Sequence, residues 1–179
     1  MIVVGPGFAS RLLYSYGYVE ATIYNMELGY ASAVCLGLAL AAEDQRVIAL
    51  EGDGSLLAGM STLATIGRYR PSNLAVIALD NGIYESCGYD LETATGHGVN
   101  LSAIALACGW GHDRVVEVRD VVSLEASIGR VLTISGPWFV HVLIDPPDHE
   151  AASEPMTPGR DIVEVSIGFR RAMMERGHV

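Results

Sequence analysis

Two short segments bring together residue types that can do chemistry. Gly52-Asp53-Gly54-Ser55 follows the apolar run Val47-Ile48-Ala49-Leu50, and Asp80-Asn81-Gly82 follows Leu74-Ala75-Val76-Ile77-Ala78-Leu79. A carboxylate and an amide oxygen converging on one place are hard oxygen donors, suited to Mg²⁺ or Ca²⁺ rather than zinc. The glycines around Asp53 let the backbone approach a bulky ligand. Ser55 stands where a helix would begin, and free N–H groups with the helix dipole favour an anion there. A cation beside a helix N-terminus makes a diphosphate site that needs no lysine, and the sequence contains none. The plainer alternative makes Ser55 an N-cap and Asp80-Asn81-Gly82 an ordinary turn.

Both segments must be held by the elements around them. Ile2-Val3-Val4 before Gly5-Pro6-Gly7 reads as a short buried strand ending in a tight turn. Tyr30 to Ala42 reads as a helix, Val47 to Leu50 as the second strand, and Leu56 to Tyr69 as a helix stopped by Pro71. Leu74 to Leu79, Arg114 to Val118 and Trp138 to Ile144 read as further strands, with helices over Leu101 to Cys108 and Val121 to Ile134. Apolar strands alternating with helices predict an α/β fold, a three-layer, doubly wound and mostly parallel sheet. Right-handed crossovers then put the strand C-terminal ends, and both segments with them, along one edge where ligands bind. Pro146 to Pro158 reads as an extended surface segment and Ile162 to Met174 as a final helix. The 179 residues fit one domain, with a core over 1–145 and a tail and C-terminal helix over 146–179.

Composition removes whole classes of function. Half the residues are hydrophobic and 18% are charged, which excludes a disordered chain. A net charge of −10 and a pI near 4.8 disfavour nucleic acid and anionic membrane surfaces as partners. Without lysine there is no P-loop lysine and no Schiff-base lysine. Cys35, Cys87 and Cys108 form no C-x-x-C pair, which speaks against a zinc site, an iron–sulfur cluster or a disulfide framework. No apolar run has the length of a membrane span, and MIVVGPGFASRLL has no basic leader, so a cytoplasmic location is expected.

Gly52-Asp53-Gly54, followed after residues 55–80 by Asn81, resembles the fingerprint of thiamine diphosphate (ThDP) enzymes. The likeness extends to Met26-Glu27-Leu28-Gly29-Tyr30-Ala31-Ser32, Leu36-Gly37-Leu38-Ala39, Leu63-Ala64-Thr65-Ile66-Gly67, Pro71-Ser72-Asn73-Leu74 and Leu79 to Ser86. Together these segments resemble the diphosphate-binding half of the phosphonopyruvate and sulfopyruvate decarboxylases over most of residues 1–145. The resemblance implies that Asp53, the Asn81 side chain and the Ile83 carbonyl bind Mg²⁺. It implies that Gly52, Gly54 and Ser55 line the diphosphate through backbone N–H groups, Ser55 also through its hydroxyl. Tyr84 joins this cofactor-binding set, Leu28 supports the bend of the cofactor, and the Met26 carbonyl accepts from its 4′-amino group. Ser86 and Cys87 fall where relatives approach a small 2-oxo acid substrate.

The family also needs a glutamate hydrogen-bonded to the pyrimidine ring, carried by a separate pyrimidine-binding domain. The resemblance therefore implies a subunit of a hetero-oligomer, or of a homo-oligomer if both halves share one chain. A piece of a longer enzyme, a subunit of a ThDP-dependent carboligase or synthase, and a non-catalytic or regulatory ThDP-binding protein are the alternatives. Glu27 departs from the family's small residue at that position. It either replaces part of the missing glutamate's role or faces solvent or a partner. Ser86-Cys87-Gly88-Tyr89-Asp90 also departs from the usual loop, which weakens transfer of the substrate. His97 and His112 are candidates for acid–base work or plain surface residues.

Overall fold

Six apolar runs pair side by side, all in parallel. They are β1 (Ile2–Val4), β2 (Thr22–Ile23), β3 (Val47–Gly52), β4 (Leu74–Asp80), β5 (Val115–Val118) and β6 (Trp138–Leu143), in the order β2-β1-β3-β4-β6-β5. The computed structural model describes residues 1–87, 91–145 and 159–178. The expected extended segment over Pro146 to Pro158 lies outside the described residues, as do Gly88-Tyr89-Asp90.

Seven helices connect and cover these strands among the described residues: α1 (Phe8–Ser15), α2 (Ala31–Ala41), α3 (Asp53–Ala58), α4 (Ser61–Tyr69), α5 (Leu101–Ala107), α6 (Val121–Thr133) and α7 (Ile162–Glu175). Alternation along β4 divides the core. Leu74, Val76 and Ala78 join a large apolar cluster with residues of α2, α4, α5 and α7, while Ala75 and Ile77 join a smaller one with Val131 of α6. Both faces of the sheet are thus buried, which is why its strands read as unbroken apolar runs.

Three features differ from the sequence reading. α1 and β2 were not expected: Gly7 caps α1 without a side-chain hydrogen bond, and two residues are too few for β2 to show a period. The single helix expected over Leu56 to Tyr69 is two helices, because α3 already starts at Asp53 and breaks at Gly59. The break has a steric cause. A Cβ on Gly59 would lie 2.0 Å from the Gly29 carbonyl oxygen, so two backbone segments touch where no side chain fits. Gly29 itself holds φ +84°, a conformation open to glycine.

In this strand order the chain leaves β1 toward β2 on one side, and leaves β3 toward β4 on the other. The loops after β1 and β3 therefore diverge and open a crevice at the strand C-terminal edge.

Candidate functional site

The crevice is a cleft lined from both sides of this divergence. Pro6, Gly7, Phe8 and Ala9 come from the loop after β1 and the start of α1; Gly52, Asp53, Gly54 and Ser55 come from the end of β3 and α3. Leu28, Asn81, Ile83, Tyr84 and Glu85 complete it. Both segments singled out in the sequence thus meet in one place. Met26 and Glu27 line another cleft with Arg11, Asn25 and Arg160, whereas Leu28, next in sequence, lines the first. The Met26 N–H donates to the Val4 carbonyl (2.9 Å), and no hydrogen bond among the described residues reaches the Met26 carbonyl.

Asp53 opens α3 from Gly52, whose extended backbone (ψ 157°) caps the helix. The carboxylate is buried, and its Oδ2 accepts from the hydroxyls of Thr93 and Thr95, the latter at 2.8 Å. Burial pushes its pKa up; these hydroxyls work in the opposite direction, and the nearby Asp80 adds to the rise. Oδ1 has no side-chain partner among the described residues. Asn81 Oδ1 accepts from the Ile83 N–H (3.2 Å) and its amide donates to Glu85 (3.2 Å), which leaves one lone pair on the oxygen. Ile83 forms a bridge with Glu92 in which the neighbouring groups make the hydrogen bonds, Thr93 N–H to Gly82 and Tyr84 N–H to Leu91. The Ile83 carbonyl consequently points away from its partner strand and accepts no hydrogen bond among the described residues. Asp53 Oδ1, Asn81 Oδ1 and the Ile83 carbonyl are oxygen donors of the kind a hard cation takes, on residues that line one cleft. Among the described residues no group of three or more His, Cys, Asp or Glu is placed to hold a metal. A cation here would rest on one carboxylate, two neutral oxygens and an anionic ligand.

The glycines divide their work differently from expectation. A Cβ on Gly52 would meet nothing within 4 Å, so its side faces open space. A Cβ on Gly54 would lie 2.3 Å from Tyr84 Cε1, so the missing side chain of this cleft-lining glycine also seats the Tyr84 ring. The Ser55 hydroxyl is also engaged within the protein. It donates to Glu51 Oε2 (2.7 Å) and accepts from the Gly29 N–H (3.0 Å), leaving only the backbone N–H for a ligand. Glu51, fully buried beside Asp53, accepts at Oε1 from the N–H of Ser32 (2.7 Å) and from its hydroxyl. A carboxylate from β3 thereby satisfies the N-terminus of α2 and fixes Ser55.

The remaining candidates separate clearly. Cys87 is exposed at the end of a short 3₁₀ turn, Glu85–Cys87, which also contains the backbone of Ser86. Glu27 is exposed. His97 forms a surface ion pair with Glu92 (2.8 Å) and His112 is exposed, so neither reaches Asp53. The histidine that matters is His141, 1% exposed, with Nε2 2.7 Å from Asp80 Oδ2. Burial alone would raise the Asp80 pKa, but the hydrogen bonds from His141 and Thr95 outweigh it and hold the carboxyl below its ordinary value. Thr93, Thr95, Glu51 and His141 carried no local motif; the signal available was their polarity at otherwise apolar or loop positions.

Against known proteins, residues 10–142 match the family described as thiamine pyrophosphate enzyme, C-terminal TPP binding domain. The chain belongs to this family. The phosphonopyruvate decarboxylase of Streptomyces viridochromogenes is 33% identical over 94% of this chain and 41% of its own length. The sulfopyruvate decarboxylase subunit beta of Methanothermobacter thermautotrophicus is 34% identical over 82% of this chain and 74% of its own. The chain thus spans less than half of the first relative and about three quarters of the second. A 2-oxoglutarate:ferredoxin oxidoreductase from Magnetococcus marinus superposes with a TM-score of 0.66 at 19% identity, covering 94% of this chain and 65% of that one, a likeness of fold. The chain is accordingly a ThDP-binding domain related to the sulfopyruvate decarboxylase beta subunits, with an all-parallel six-stranded sheet of that domain type.

Proposed function

We propose that this chain is the diphosphate-binding subunit of a Mg²⁺- and ThDP-dependent 2-oxo acid decarboxylase, completed by a pyrimidine-domain partner. The observation that carries the reading is the meeting of Asp53, Asn81 and Ile83 in the lining of one switch-point cleft. The identity with a separate beta subunit over 74% of its length supports the split arrangement. When bound, ThDP supplies the carbanion chemistry that releases carbon dioxide from a 2-oxo acid.

The chain's own residues hold and shape. Asp53, Asn81 and Ile83 hold the cation, whose charge together with the free N–H groups opening α3 binds the diphosphate. Leu28, 49% exposed in the lining of the cleft, supports the cofactor's bend, and the Met26 carbonyl accepts from the aminopyrimidine. Tyr84, seated on Gly54, closes the side of the cleft. The substrate is a small 2-oxo acid with a second anionic group, approached from the side of Ser86 and Cys87. The test is co-expression with a pyrimidine-domain protein, ThDP titration and a screen of 2-oxo acids. Asp53→Ala and Asn81→Ala should each abolish Mg²⁺-dependent ThDP binding. Intact binding in both variants sinks the reading.

A further inference from the structure

His141 sits in mid-strand on β6, on the sheet face that β4 shares through Ala78 and Asp80. An imidazole in such a core is destabilising unless both ring nitrogens find partners. Nε2 reaches Asp80 Oδ2 at 2.7 Å and Nδ1 reaches the Ser102 hydroxyl at 3.2 Å, with Glu117 Oε2 at 3.7 Å. The other oxygen of Asp80 is engaged too. Oδ1 accepts from the Gly82 N–H (3.1 Å) and lies 2.7 Å from the Thr95 hydroxyl, whose single proton it shares with Asp53 Oδ2. With both oxygens occupied, Asp80 is a frame and not a cation ligand, although it adjoins Asn81.

That frame has two arms, and each ends at the cation donors. Through Thr95, whose hydroxyl also lies 2.8 Å from Asp53 Oδ2, it turns Asp53 so that Oδ1 is the free oxygen. Through the Gly82 N–H it fixes the turn that presents Asn81 Oδ1 and the Ile83 carbonyl. Thr95 has one hydroxyl proton and faces Asp53, Asp80 and Thr93, so the two carboxylates are coupled through a single group. Only His141 reaches Asp80 Oδ2 among the described residues, and it does so from the far side of the frame.

We propose that His141 is a positioning residue for the cation: by fixing Asp80 it sets Asp53 through Thr95 and the Asn81–Ile83 turn through the Gly82 N–H. This rests on the cation assignment made under the proposed function. Groups that orient the ligands of a metal typically change its affinity by about 10- to 100-fold when removed.

The experiment is a calorimetric Mg²⁺ titration of the full chain at saturating ThDP, alone and co-expressed with a pyrimidine-domain partner. It is paired with thermal melting in the absence of Mg²⁺ and ThDP. His141→Leu should raise the half-saturating Mg²⁺ concentration about tenfold or more. His141→Gln, whose amide N–H reaches the place of Nε2–H, should stay within about threefold of wild type. If His141→Leu does not fold, His141→Asn decides. Its shorter amide keeps a polar group at the place of Nδ1 beside Ser102 but does not reach Asp80 Oδ2, and it should also weaken Mg²⁺ by about tenfold. Folded variants with wild-type Mg²⁺ half-saturation and only lowered melting overturn the inference, as do equal losses in the Gln and Leu variants. A wild-type chain with no Mg²⁺-dependent heat in either format overturns the proposed function and this inference together.

Discussion

At the scale of the residue, the site is an economy of oxygen atoms. Three carboxylates near the cleft have distinct assignments: Glu51 holds α2 and Ser55, Asp80 frames the loops, and Asp53 keeps one oxygen without a side-chain partner among the described residues. Gly54 belongs in the same account, since its missing side chain is where Tyr84 rests. Gly54→Ala should therefore destabilise the protein without Mg²⁺ or ThDP by about 1–3 kcal/mol, the range for overpacking a filled site. In a Tyr84→Ala background the same change should be milder by at least about 0.5 kcal/mol, read from chemical denaturation as a double-mutant cycle. An alanine that leaves the ligand-free midpoint untouched and weakens only ThDP binding would return Gly54 to the role that the sequence suggested. That the segments of Asp53 and of Asn81 and Ile83 meet in one cleft was legible because they lie in two contiguous motifs at strand ends. Thr93, Thr95 and His141 were not, because they reach their partners across 40, 42 and 61 positions, a separation that no local pattern encodes.

At the scale of the element, the sequence was most readable where hydrophobic periods ran long. α2, α6, α7 and strands β3, β4 and β6 stand within one or two residues of expectation, apart from the start of α3 directly after β3. The misses are elements whose limits are set by tertiary contact, above all the α3–α4 break made by the Gly29–Gly59 approach. Caps, by contrast, are local and testable. Asp120 caps α6, accepting from the Ser123 N–H (2.8 Å) and hydroxyl (2.7 Å), and these bonds hold its carboxyl below the ordinary aspartate range. A folded-state pKa below the unfolded one gives stability above the unfolded value, about 3.9, which is lost as pH falls through the lowered one. Asp120→Ala should melt below wild type at neutral pH, and the gap should close as the pH is taken below that range. Asp120→Asn keeps a good cap and loses the charge, so its melting should stay near wild type and lack this component of the acid dependence. A wild-type-to-Ala gap that is constant with pH would show that Asp120 acts by packing alone.

At the scale of the whole molecule, the order β2-β1-β3-β4-β6-β5 puts the cleft at the place where the loops after the adjacent strands β1 and β3 diverge. Exposed apolar side chains stand in its lining and beside it, in a chain of net charge −10. Phe8, Leu28, Tyr30 and Met60 are 36%, 49%, 61% and 40% exposed, and the Gly29–Gly59 contact brings Leu28 and Tyr30 beside Met60. Exposed apolar side chains gathered at the rim of a cleft are what a protein partner covers. The proposed pyrimidine domain has to close over the same cleft, since the cofactor it completes would lie there. Tyr30→Asp should then weaken association with that partner by at least about tenfold, the scale of a central aromatic contact. Tyr69→Asp is the control. Tyr69 is 54% exposed at the end of α4, which leads back to the start of β4 and so lies at the opposite edge of the sheet. Sedimentation of mixed chains should separate the two variants, with Tyr69→Asp assembling as wild type does. If both assemble equally, the partner docks elsewhere, and the apolar rim needs another occupant.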